Sequence, residues 1–255
     1  FNDTATTEIY TLSLHDALPI YSTGRSAAFF TTNYGNEIIK KLTRASYSFF
    51  NNPPQGFTDY PLLIKNSGAL FIANKNQNQR LEIELKNSKG MHEINKKEAL
   101  KLAPSLKTEY IDRVLHEPNS MEMDVNQIHR GYLQSFKKNK GHLICGSEVK
   151  NIDRKKLIWK VITTNELYSA PIIINAAGAW CDQIGNLANC IKINLNPCRR
   201  TAIIFSIKKE KVNNNWPLVI DVDENFYYKP QSGKILASPA DETPSIPCDV
   251  QPEEI

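Results

Sequence analysis

The spacing of apolar positions predicts helices and strands in alternation over the first two-thirds of the chain and mostly strands after that. Ile38, Leu42, Ala45 and Phe49 recur at helical spacing, and Asn51-Asn-Pro-Pro-Gln-Gly56 stops the helix they predict. Residues 70–73 predict a strand and 76–89 a charged helix, with Leu81 and Leu85 one turn apart. A short helix at 96–102 and a strand at 110–118 follow, then the acidic loop Glu122-Met-Asp124. The clearest helix is 125–139. Val125, Ile128, Tyr132 and Phe136 form its predicted buried stripe, and Lys137, Lys138 and Lys140 suit the negative end of its dipole. Strands are predicted at 142–145, 148–152, 158–162 and 167–168, then at 201–207, 218–222, 226–229 and 235–238.

One stretch departs from simple periodicity. Residues 171–174 are a β-branched run that suits a strand buried on both faces, and Asn175-Ala-Ala-Gly-Ala179 then removes nearly all side-chain bulk for one turn. Trp180, Ile184 and Leu187 resume at helical spacing. Such a strand, bare turn and helix start either lets the backbone approach a flat or phosphorylated ligand or packs a helix tightly on a sheet. Tyr21-Ser-Thr-Gly-Arg-Ser-Ala-Ala28 is a second polar loop; its hydroxyls, backbone N–H groups and one guanidinium suit an anion, although many surface loops look the same. Together these features predict an α/β (mixed α+β) chain, in which a nucleotide-type domain is interleaved with an antiparallel-sheet domain.

Composition narrows the classes. With 41% apolar and 23% charged residues the chain is an ordinary globular protein, and a net charge of +4 without a basic stripe argues against nucleic acid. No segment predicts a membrane span or a signal peptide. Five cysteines, an odd number with no Cys-x-x-Cys pair, fit reduced thiols in a cytoplasmic protein, and the five histidines lack ligand spacing, so no metal site is predicted. Residues 1–20 break with the composition of the rest and resemble a translated sequencing adapter, a non-native segment to set aside. The last residues, Asp249-Val-Gln-Pro-Glu-Glu-Ile255, stop where a helix would begin, so both ends read as truncated.

Several motifs then fall in register. Ser22-Thr-Gly-Arg-Ser-Ala-Ala28, Phe49-Phe-Asn-Asn-Pro-Pro-Gln-Gly-Phe57, Asn175-Ala-Ala-Gly-Ala-Trp-Cys-Asp182, Pro197-Cys-Arg-Arg200, Asp223-Glu-Asn-Phe-Tyr-Tyr-Lys-Pro230 and Asp249-Val-Gln-Pro-Glu253 resemble the FAD-dependent amino-acid oxidoreductases. That group includes glycine, sarcosine and D-amino-acid oxidases, and the likeness is greatest to bacterial D-arginine dehydrogenases. It covers residues 21–255. The family's opening Gly-x-Gly-x-x-Gly strand–turn–helix does not occur here, nor does its C-terminal third, so the chain reads as the middle of a larger flavoprotein that binds FAD poorly by itself. The resemblance implies a partial FAD-binding domain of 21–50 and 141–190, and an incomplete substrate domain of 51–140 and 191–255.

The same resemblance implies residue roles. Thr23, Arg25, Ser26 and Ala27 would wrap the flavin, Val149 would lie on the strand that meets the adenine, and Ala177 and Gly178 would pass the ADP portion. Arg200 would fork onto a substrate carboxylate, with Tyr227 and Tyr34 as phenols beside the substrate. On a strand, Phe226 and Tyr228 should face away from Tyr227. The implied reaction is hydride transfer from the Cα of a D-amino acid to FAD, giving an imino acid that hydrolyses to a keto acid and ammonia. The substrate would be a small amino acid and the electron acceptor oxygen or a quinone. Two departures shift the expected specificity: Phe29 stands where the D-arginine enzymes carry a histidine, and Gly68 where they carry a glutamate for the basic side chain. Neutral or apolar D-amino acids are therefore expected. The alternatives are a glycine- or sarcosine-like amine, a hydroxy acid, or a truncated product with no catalysis.

Overall fold

The computed structural model describes residue 23 and residues 27–207 and 212–249. The chain divides into two compact units. The first comprises 27–132 and 200–242; the second, among the described residues, comprises residue 23, 133–199 and 243–249.

A seven-stranded sheet organises the first unit. Its strands are β3 (Ala69–Ala73), β4 (His92–Ile94), β5 (Arg113–Glu117), β11 (Ile203–Phe205), β12 (Leu218–Asp221), β13 (Tyr227–Gln231) and β14 (Lys234–Ser238), in the order β11-β14-β13-β12-β3-β5-β4. Only β12 and β3 pair in parallel. These two central strands are buried at every residue, which is why Ala-Leu-Phe-Ile-Ala and Leu-Val-Ile-Asp read as apolar runs and not as alternation. Phe71, Ile220 and Val222 pack on one face with Leu81 of α2 (Asn78–Asn87), and the half-buried Tyr227 packs against them. Leu70, Ile72 and Val219 pack on the other face with Ala99 of α3 (Lys96–Leu102), and Phe226 and Tyr228 join there, as alternation requires. Burying a Leu or Val this completely stabilises the fold by roughly 1.5–3 kcal/mol per side chain. A reciprocal cap starts α3: Asn95 Oδ1 accepts from the Glu98 N–H at 3.0 Å, and Glu98 Oε2 accepts from the Asn95 N–H at 3.1 Å.

A small sheet of β1 (Phe29–Phe30), β6 (Met121–Met123) and β2 (Leu63–Lys65) completes the strands of this unit. After β1 the chain is tied down by Glu117, which is 2% exposed. Its carboxylate accepts from the Thr31 hydroxyl at 2.7 Å and from the Thr32 N–H and hydroxyl at 3.0 Å each. Asn33, equally buried, exchanges two bonds with the backbone of Lys89, at 3.1 and 2.8 Å. These contacts fix where Tyr34 begins.

The helix predicted from Ile38, Leu42, Ala45 and Phe49 forms as α1 (Glu37–Asn51), capped by Asn36, but its apolar stripe does not face the core. Ile38 is 69% and Leu42 59% exposed. Lys40 is buried instead, 3.8 Å from both Glu37 and Glu84, and Phe30 packs on Tyr47 and Phe50. Inward placement thus follows an ion pair and the aromatic contacts. The stripe predicted for α4 (Val125–Lys138) is likewise corrected: Tyr132 and Phe136 are exposed. Gly131 is the buried position, because a Cβ there would sit 2.2 Å from the Phe57 ring.

The second unit holds the meander β7 (Val149–Lys155), β8 (Ile158–Thr163) and β9 (Leu167–Ala170), followed by α5 (Cys181–Leu187) and the pair β10 (Cys198–Arg199) with β15 (Thr243–Pro244). Two predicted strands do not form. Residues 142–145 and 171–174 have no ladder partner among the described residues, and Ile172 and Ile174 are exposed and not buried. Extended, β-branched sequence makes a strand only when a neighbour supplies the hydrogen bonds.

Candidate active site

In the first unit a cavity of about 320 Å³ opens over the sheet face that carries Phe71, Ile220 and Val222. Tyr34 and Glu224 form one wall, and Arg80 and Glu84 of α2 another. Tyr227 lies on the same sheet face, opposite Ile220 in the β12–β13 register. The Tyr34 hydroxyl donates to Glu224 Oε2 at 3.0 Å. The Arg200 guanidinium is near enough to pull the pKa of the same phenol down, while its Nη2 donates to Glu242 Oε1 at 2.8 Å and its Nε to the Asp241 carbonyl at 3.4 Å. A guanidinium has five N–H donors, so these bonds leave capacity for a carboxylate. The geometry therefore brings Tyr34 and Arg200 together with a residue that pattern reading missed, Glu224. Its signal lay in the Asp223-Glu-Asn-Phe-Tyr-Tyr motif, but nothing local distinguished it from a solvated turn acid. Arg80 and Glu84, 2.9 Å apart, were missed for the same reason: they read as an ordinary i,i+4 surface pair.

The Tyr34 phenol is pushed above its ordinary pKa, chiefly by burial and then by the neighbouring Glu224 charge and hydrogen bond, with Arg200 pulling the other way. The phenol stays protonated and able to donate. Tyr228, on the opposite sheet face, is also raised by burial, opposed by its bond to Ser105. The folded state thus holds both protons more tightly than the unfolded chain does. Their contribution is intact below the unfolded tyrosine value of about 10 and is lost as pH rises through the raised folded values. Stability is expected to fall on the alkaline side, and Tyr34→Phe and Tyr228→Phe each to flatten that fall. Denaturant titrations at a series of alkaline pH values measure it.

The residues expected to contact the cofactor belong mainly to the second unit. Ala177 is buried, and its N–H donates to Asn175 Oδ1 at 3.3 Å. Gly178 follows with φ +56°, and a Cβ added there would meet nothing within 4 Å. This bare, outward-open backbone suits the close approach of a large ligand. Asn175 Nδ2 donates to the Cys181 carbonyl at 2.8 Å, holding the turn against the start of α5. Val149 opens β7 opposite Thr163, half-buried, with a register shift before Asn151. Thr23 is an exposed turn residue, and Ala27, in the first unit, is half-buried. Arg25 and Ser26 lie outside the described residues.

A model of the DAO family, described as FAD dependent oxidoreductase, matches residues 15–255. The chain belongs to this family. As a DAO-family member it has FAD as its cofactor, and the open Ala177–Gly178 turn fits that group. Solved structures share the fold. L-proline dehydrogenase from P. horikoshii is 21% identical with a TM-score of 0.69, covering 85% of this chain and 59% of that one. L-alpha-glycerophosphate oxidase from Mycoplasma pneumoniae with FAD bound is 20% identical with a TM-score of 0.73, covering 85% and 60%. Glycine oxidase from Geobacillus kaustophilus is 16% identical with a TM-score of 0.69, covering 87% and 62%. The chain thus spans about three-fifths of the length of these proteins. Among the described residues no helix is long and apolar enough to cross a membrane, and no cluster of three or more His, Cys, Asp or Glu could hold a metal.

Proposed function

We propose that this chain carries the substrate-holding part of a flavoenzyme that oxidises the C–N bond of a D-amino acid. The observation that carries the reading is the convergence of Arg200, Tyr34 and Glu224 beside a cavity whose floor is apolar. Arg200 holds the carboxylate in its guanidinium fork, and the protonated Tyr34 donates a second hydrogen bond. Tyr227 stands on the same sheet face and limits how the side chain lies. When bound, FAD would supply the two-electron acceptor for the hydride lost from Cα; the amine would give up one N–H proton to solvent, and the resulting imino acid would take up water and release ammonia and a keto acid. The protein's share is positioning, so no nucleophile is needed. In this reading 21–50 and 141–190 serve the flavin, with Thr23, Arg25, Ser26, Ala27, Val149, Ala177 and Gly178 as contacts, and 51–140 with 191–255 serve the substrate. A cytoplasmic setting agrees with five unpaired cysteines.

Side-chain preference follows from where the carboxylates are spent. Glu84 is engaged by Arg80 at 2.9 Å and Lys40 at 3.8 Å, and Glu224 by Tyr34. A basic side chain therefore meets carboxylates that already have partners, and a neutral or apolar one meets Phe71, Ile220 and Val222. The same fold serves a proline dehydrogenase, a glycine oxidase and a glycerophosphate oxidase, so the substrate test needs all these arms. In the flavin-loaded protein without oxygen, D-methionine and D-phenylalanine are expected to bleach the flavin faster than D-arginine, glycine, sarcosine, L-proline or L-alpha-glycerophosphate. Faster bleaching by D-arginine overturns the side-chain preference, and bleaching by glycerophosphate alone overturns the amino-acid reading.

A further inference from the structure

Asp221 ends β12 and is 0% exposed, yet no role described so far uses it. Its carboxylate is surrounded by donors from three segments. Gln77 Nε2 lies 3.0 Å from both oxygens, and the Tyr110 hydroxyl donates to Oδ1 at 2.9 Å. Oδ2 accepts from the Asp223 N–H at 3.2 Å, the Asn225 N–H at 3.3 Å and Asn225 Nδ2 at 2.7 Å. The backbone closes the same turn, with the Glu224 N–H donating to the Asp221 carbonyl at 2.8 Å and the Asp221 N–H to the Phe226 carbonyl at 3.0 Å. Inside that turn Glu224 adopts φ +61°, a left-handed conformation that carries an energetic cost for a residue with a Cβ.

We propose that Asp221 is a positioning residue: its buried carboxylate holds the 222–225 turn in the shape that places Glu224 against the Tyr34 hydroxyl beside the cavity. A carboxylate suits this task because it only accepts, and every group aimed at it is a donor. Gln77 is itself held, its Oε1 accepting from the Asn74 N–H at 2.8 Å, so the anchor on the far side of Asp221 does not turn away. The consequence for substrate binding rests on the reading of Tyr34 given above; the positioning itself does not.

The test therefore reads Tyr34 directly. Ultraviolet titration of tyrosinate in the full chain, taken as the difference between each variant and the same variant carrying Tyr34→Phe, isolates this phenol. In the wild type its midpoint is expected above that of an ordinary tyrosine, held there in part by Glu224, and Glu224→Gln is expected to lower it. Asp221→Asn, which puts an NH2 group among donors, is expected to lower it too, and Glu224→Gln added to Asp221→Asn to lower it no further. Asn225→Ala removes one of the turn's bonds and leaves the buried carboxylate in place, so it decides the matter if Asp221→Asn does not fold; it is expected to lower the midpoint in the same direction. A Tyr34 midpoint unchanged in Asn225→Ala, or in a folded Asp221→Asn with a reduced thermal midpoint, overturns the proposal and leaves Asp221 a purely structural anchor. Because no substrate enters this measurement, failure of the D-amino-acid reading would show only in the bleaching experiment.

Discussion

Arg200→Ala in the flavin-loaded enzyme is expected to raise KM for the amino acid about a hundredfold while leaving the thermal midpoint nearly unchanged. The two effects separate because the contacts of Arg200 within the protein are weak. Its pair with Glu242 joins side chains 40% and 72% exposed, where solvent screening leaves about 0–1 kcal/mol. On the proposed reading, a substrate carboxylate held between Arg200 and Tyr34 is a different case: losing a charge-assisted pair there costs about 3 kcal/mol, and each 1.4 kcal/mol is a factor of ten. Arg200→Lys keeps the charge and loses the planar fork, so it is expected to fall between, roughly tenfold from the wild type. Removing the guanidinium also removes the pull that lowers the Tyr34 pKa, so the phenol should titrate higher in Arg200→Ala. A large fall in thermal stability with unchanged KM would assign Arg200 to the fold instead.

The residues that revealed the family and those that reveal the site are legible to different degrees, for physical reasons. Motifs such as Asn175-Ala-Ala-Gly178 and Pro197-Cys-Arg-Arg200 record backbone and chemical constraints that one residue type satisfies, and these can be read one position at a time. Elements whose partners are near in sequence are legible too: α3 lies at 96–102 as predicted, and the cap that starts it, Asn95 with Glu98, is local. What covers a face is not local information. The Ile38–Leu42 stripe has helical periodicity, but Lys40 turns inward because Glu84, more than forty positions away, is there to receive it. The 171–174 run has strand chemistry and no ladder to join. Glu224 reaches the site through a left-handed turn imposed by Asp221, Gln77 and Asn225, and no periodicity records that.

Gly68→Glu, the exchange that would put a carboxylate where the D-arginine enzymes have one, is expected to destabilise the protein severely and not to turn its preference toward basic substrates. Gly68 has φ +78°, which alone disfavours any side chain. A Cβ built on it would lie 2.2 Å from the Glu117 carbonyl oxygen and 2.8 Å from Pro118 Cα, so the obstacle is backbone and no rotamer change relieves it. Overlap and strain together cost roughly 3 kcal/mol or more, a large part of what a domain of this kind has to lose. The damage spreads through Glu117, whose carboxylate holds Thr31 and Thr32 and so sets the start of Tyr34. Gly68→Ala carries the same clash without the charge and is expected to be destabilised nearly as much in denaturant unfolding. If Gly68→Ala proves as stable as the wild type, the strand start at Ala69 is more yielding than its contacts imply, and the glutamate exchange becomes a fair test of specificity. With the expected result, a basic substrate would have to be accommodated from the cavity wall itself, by releasing Glu84 from Arg80 through Arg80→Ala, because the space at position 68 belongs to the Glu117 backbone.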